Sequence, residues 1–115
     1  MKPRELFKDA RYLGEAEGDR KTYYVFETNK NYLVLGPTNQ GGFYLTIVDQ
    51  EGPDIITRTF RGKQVTSGLV RARARRADLF SSPLAALNVL YVMVALRRAR
   101  KLKRRQGKAI VFKIR

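Results

Sequence analysis

Arg71, Arg73, Arg75 and Arg76 fall within six positions, and Arg97, Arg98, Arg100, Lys101, Lys103, Arg104 and Arg105 occupy seven of the nine positions 97–105. Lys63 precedes both runs. The chemistry these side chains offer is anion binding. A guanidinium presents a planar fork of donors that grips phosphate in a bidentate way and stacks on bases, which an ammonium cannot do. Other chemistries lack their residues. The chain contains no histidine and no cysteine. That removes the commonest metal ligand, the side chain that moves protons near neutral pH, and any thiol nucleophile. Ser67, Ser81 and Ser82 have no His to activate them and read as helix caps. The loop 36–42 is glycine-rich but lacks the Gly-Lys-Ser/Thr of a phosphate loop. Pro53-Asp54 lacks the second acid that a metal-dependent nuclease would need. Asp49, Glu51 and Asp54 cluster as turn-forming acids do, with no metal required. No catalytic residue, metal site or cofactor is expected.

The distribution of charge reinforces this reading. The 115 residues carry 24 Lys and Arg against 10 Asp and Glu, a net charge of +14. Positions 1–60 net −1, whereas positions 61–115 net +15, with Asp78 as the only acid. Charge segregated this strongly implies a polyanionic partner: nucleic acid first, an anionic membrane surface last. Tyr23, Tyr24, Tyr32, Phe43 and Tyr44 add aromatic rings on which unpaired bases could stack, although aromatic residues in strands more often pair across the sheet.

Positioning these groups falls to strands first and helices after. Aromatic and β-branched runs predict strands over 21–27, 32–35, 43–48 and 54–61, separated by turn residues. Consecutive strands with short connections form an antiparallel meander, because parallel pairs need long crossovers. Leu6, Phe7, Tyr12 and Leu13 would pin a short N-terminal turn or strand. Beyond Val65 the apolar period lengthens toward 3.6. A helix of about 12–14 residues would start at Thr66 or Ser67, a usual globular length. A second helix would be capped by Ser82, carry Pro83 at its first position, and run to Gln106, with Gly107 as its C-terminal cap. The alternation of Ile110, Phe112 and Ile114 predicts a final strand.

The expected fold is therefore α+β: an antiparallel sheet of four to five strands packed against a long C-terminal helix and a shorter preceding one. It would form one domain over 1–115, mostly β to 62, helical and basic over 63–107, with a last strand over 108–115. The expected function is a small non-enzymatic nucleic-acid-binding protein, DNA or RNA, whose phosphates meet the twelve basic residues named above. Two other readings stand beside it. In one, the apolar stretch 84–96 joins copies of the chain in a homo-oligomer. In the other, the basic residues lie on anionic lipid. The polar start of the chain shows no apolar leader, and 84–96 is shorter than the ~20 residues a membrane span needs, so a cytoplasmic location is expected.

Overall fold

A computed structural model describes residues 7–115. The polar N-terminal start and Leu6 lie outside these residues. The meander is present: β1 (Arg11–Glu17), β2 (Thr22–Glu27), β3 (Asn31–Pro37) and β4 (Phe43–Asp49) pair in sequence order, antiparallel throughout. The turns follow from side-chain chemistry. The Thr28 hydroxyl accepts from the N–H groups of Lys30 and Asn31, and that of Thr38 accepts from Gly42. Alternation sends Ala16, Tyr23, Val25, Tyr32, Val34 and Val48 to the inner face, where they are buried. Gly36 is required there: a Cβ would stand 2.5 Å from Cζ of Tyr44 and 2.8 Å from Cε1 of Tyr23. On the outer face, Phe7 and Tyr12 both pack on Phe26, with ring centroids 5.1 and 5.3 Å away.

The next segment departs from expectation. Positions 54–61 do not form a strand; they lie within and just beyond helix α1 (Glu51–Phe60). The β-branched run Ile55-Ile56-Thr57 suggests a strand, but Gly52, Ile55, Ile56 and Phe60 share one helical face, and all four are buried. Pro53 sits in the first turn, where a missing N–H is harmless, beside Glu51 and Asp54, which favour the positive end of the helix dipole. Gly52 lets α1 approach the third helix closely, since a Cβ would lie 3.1 Å from Cγ1 of Val89.

β5 (Gln64–Val65) leads into α2 (Ser67–Ala74), shorter than expected, whose cap is Thr66 accepting from the Leu69 N–H at 3.2 Å. α3 (Pro83–Ala95) starts as anticipated, with Ser82 accepting from the Ala85 N–H at 3.0 Å and Pro83 in the first turn. Its end is the main correction. The helix does not reach Gln106 but stops at Ala95. The Arg98 N–H bonds back to the Met93 carbonyl and that of Arg97 to Val94, with Arg97 at φ 62°, which together make a Schellman motif. The basic positions 99–106 instead form strand β6 (Ala99–Gln106), hairpinned to β7 (Ala109–Ile114), and Gly107 occupies the hairpin turn at φ 61°. A helix over 97–105 would set Arg97, Lys101 and Arg105, and also Arg100 and Arg104, at repulsive i,i+4 spacing. The strand distributes them over two faces while the ladder to β7 satisfies the backbone. β5, β7 and β6 form a second sheet in that order.

α3 is the keystone. Ala86 and the run Asn88–Met93 are buried, and the helix touches both sheets and both other helices. Tyr91 stacks on Tyr23 of the first sheet at 4.3 Å and meets Phe112 of the second edge-on at 6.2 Å. Burial among these rings pushes the Tyr91 hydroxyl pKa well above its ordinary value. The apolar half of this helix is therefore consumed inside the chain. Of the stretch 84–96 expected to join copies in a homo-oligomer, Leu84 stays exposed and Ala85, Leu87, Val94, Ala95 and Leu96 are partly buried. Among the described residues no helix is long and apolar enough to cross a membrane.

Among the described residues Asn88 is the one fully buried amide or charged side chain in this core. Its Nδ2 donates to the Leu84 carbonyl at 2.9 Å, but its Oδ1 has no partner among the described residues. An unmatched buried acceptor costs about 1–3 kcal/mol. Asn88→Leu, similar in shape and without that acceptor, is expected to raise stability by about 1 kcal/mol. The check is a rise of several degrees in thermal midpoint.

Candidate nucleic-acid interface

The twelve sequence-predicted residues divide by what they touch. Arg76, Arg98 and Arg105 are held by carboxylates. Arg76 bridges Asp78, through Nε at 3.0 Å and Nη2 at 2.9 Å, and Glu51 at 2.9 Å. Arg98 reaches Asp54 at 2.9 Å, and Arg105 pairs with Asp19. The hydrogen bond from Arg105 holds the Asp19 carboxyl below the usual carboxylate range, and that from Arg76 does the same for Asp78. Three arginines are thus locally neutralised, each by an acid from the front half. Arg71, Lys101 and Arg104 bond to neutral acceptors and keep their charge. Arg71 donates to the carbonyls of Phe80 and Ser81 at 3.2 Å each, Lys101 to the Gly18 carbonyl at 2.8 Å, and Arg104 Nε to Gln64 Oε1 at 3.1 Å. Lys63, Arg73, Arg75, Arg97, Arg100 and Lys103 have no side-chain hydrogen bond or ion pair among the described residues.

The second sheet gathers several of these groups. Lys113 of β7 faces Gln64 of β5 on one side and Arg100 of β6 on the other, so the three side chains form one row on one face. Arg104 reaches into the same row through Gln64. The chain end closes onto the α1–β5 turn: the Gly62 N–H bonds to the Ile114 carbonyl at 3.0 Å, the Ile114 N–H to Lys63 at 2.9 Å, and the Arg115 N–H to Arg98 at 2.9 Å. Lys63 and Arg73 then line one shallow groove with Thr59, Phe60 and Leu69. Arg100, Arg104 and Lys113 thus share the row on the second sheet, Lys63 and Arg73 share the groove beside the turn, and Arg61 lines another groove with Glu51, Asp54, Arg58 and Arg98.

The remaining predicted residues lie elsewhere. Arg71, Arg75 and Arg76 line a separate groove on α2 with Phe80. Lys101 and Arg105 stand opposite Phe112 and Ile110, so they turn to the other face, toward the β1–β2 turn at Gly18 and Asp19. Lys103 sits where the β6–β7 register shifts. Of the aromatic candidates, Tyr23 and Tyr32 are buried and Tyr44 shares their inward face, leaving Tyr24 and Phe43 on the outward one.

Arg61, Lys113 and Arg115 were not among the predicted site residues. Lys113 and Arg115 were within reach of sequence reasoning, because they alternate with buried Phe112 and Ile114 and must point away from them. The nearness of Arg61 had no local signal, since it depends on the last strand returning to the α1–β5 turn.

Two arginines occupy backbone that favours glycine. Arg75, closing α2, has φ 55°, and Arg97, closing α3, has φ 62°. A non-glycine residue there is strained by about 1–2 kcal/mol. Both side chains are exposed.

No family model matches this chain, no curated protein is found to be similar to it, and no solved structure matches its fold.

Proposed function

We propose that the chain binds nucleic acid through the phosphate backbone, using the cluster around the α1–β5 turn and the outward face of the second sheet. The observation that carries this reading is the row Gln64–Lys113–Arg100. Like charges directly opposite each other across a sheet are destabilising, and neither Arg100 nor Lys113 has a carboxylate partner among the described residues. A phosphate between them offsets that repulsion. A face of ordinary solubilising charge would mix signs instead.

Base reading by a helix has no support. In helix-turn-helix readers the second helix of the pair enters the major groove. The corresponding helix here, α3, has its run Asn88–Met93 buried between the sheets. Binding is therefore independent of sequence, and two unrelated duplexes of equal length are expected to bind with equal affinity in fluorescence anisotropy. Absence of binding at low salt would reject the reading.

A sharper test separates folding from function. Arg100→Glu turns the repulsive pair with Lys113 into an opposite-charge pair, a change of up to about 1 kcal/mol in favour of the fold. Thermal stability is expected to hold or rise while affinity for both duplexes falls. A variant that binds like the parent protein removes the Arg100 row from the interface.

A further inference from the structure

We propose that the chain forms a two-fold homodimer by antiparallel pairing of its free β4 edge with the same edge of a second copy. The two edges of the first sheet differ in kind. β1 carries the charges of Arg11, Glu15 and Glu17 and a register shift at Gly14, the devices that blunt an edge against pairing. β4 has only Asp49 at its end: Phe43-Tyr44-Leu45-Thr46-Ile47-Val48 is uncharged, free of proline and in unbroken register with β3. Among the described residues β4 makes no backbone hydrogen bond to any element but β3.

Exposed apolar side chains concentrate at this edge. Phe43 is 58% exposed and Ile47 52%. Leu84, 54% exposed, adjoins Ala85, which lines a groove of about 360 Å³ beside Thr46–Asp49. The strand is self-complementary. Pairing centred on Leu45 sets Phe43 of one copy directly against the partner's Ile47, twice over, and brings the partner's Tyr44 opposite Thr46 at the mouth of the groove. Charge favours the same arrangement. Each Asp49 falls opposite the partner's Gly41, so the two acids stand about 27 Å apart at 3.4 Å per residue. The β4 strands that meet carry no basic residue.

The chain has no cysteine, so Leu45→Cys introduces a single thiol on the proposed axis, within disulfide reach of its counterpart. Sedimentation of the full chain without nucleic acid is expected to show a concentration-dependent dimer. Oxidised Leu45→Cys is expected to cross-link, while Tyr12→Cys, on the other edge, remains uncross-linked. Phe43→Lys, at an exposed position, is expected to yield a folded monomer. A parent protein that stays monomeric at every concentration, a Phe43→Lys variant that still dimerises, or equal cross-linking at positions 45 and 12 overturns the proposal. None of these outcomes depends on whether the chain binds nucleic acid.

Discussion

Affinity for duplex DNA is expected to fall by about 10³–10⁵ between 50 and 200 mM salt. A protein that neutralises phosphates releases condensed counterions, and roughly six to ten contacts produce a loss of that size. The side chains that qualify are Arg61, Lys63, Arg73, Arg100, Arg104, Lys113 and Arg115, seven groups without a carboxylate partner among the described residues. Arg76, Arg98 and Arg105 do not count fully, because Asp78, Glu51, Asp54 and Asp19 already sit on them. If each of the seven meets one phosphate, the logarithmic salt slope is about −6. Anisotropy titrations across ionic strength measure it directly. A slope near zero means that the positive field is not the binding surface. Alanine at Arg73 should lower the slope by about one and weaken both duplexes alike.

Local chemistry carried some of the fold in the sequence, and long-range geometry carried the remainder. The three meander strands β2 to β4, the caps Thr66 and Ser82, Pro83 in the first turn and the final strand each rest on neighbouring residues and stand where local reasoning puts them, whereas the fourth meander strand is β1 and not 54–61. α1 was hidden because Ile55-Ile56-Thr57 satisfies strand propensity, while its helical face is completed by Gly52 and Phe60. The end of α3 was hidden because arginine and lysine are good helix formers, and Arg97 fills the left-handed position where glycine would have flagged a stop. Only pairing with β7 makes 99–106 a strand. The same gap limited the site. Two basic runs are visible in the sequence, but a helix would have kept the second as one solvated end. The hairpin instead divides it, with Arg100 and Arg104 toward Gln64 and Lys101 and Arg105 toward Asp19.

Leu90→Ala is expected to destabilise the chain by about 2–5 kcal/mol, the range for deleting a buried leucine side chain. Leu90 is fully buried in the middle of α3, the helix both sheets pack against. A domain of ordinary stability has only about 5–15 kcal/mol in all, so the substitution should shift the denaturant midpoint strongly. Its effect on binding should be small once affinity is referred to the folded fraction, since Leu90 presents no surface to a ligand. A groove-reading α3 requires the opposite: truncation would leave the fold nearly intact and abolish discrimination between sequences. Denaturation and binding measured on this one variant therefore separate a buried structural helix from a recognition helix. Near-parent stability together with lost binding would return α3 to the interface and remove the basis for a purely backbone-directed contact.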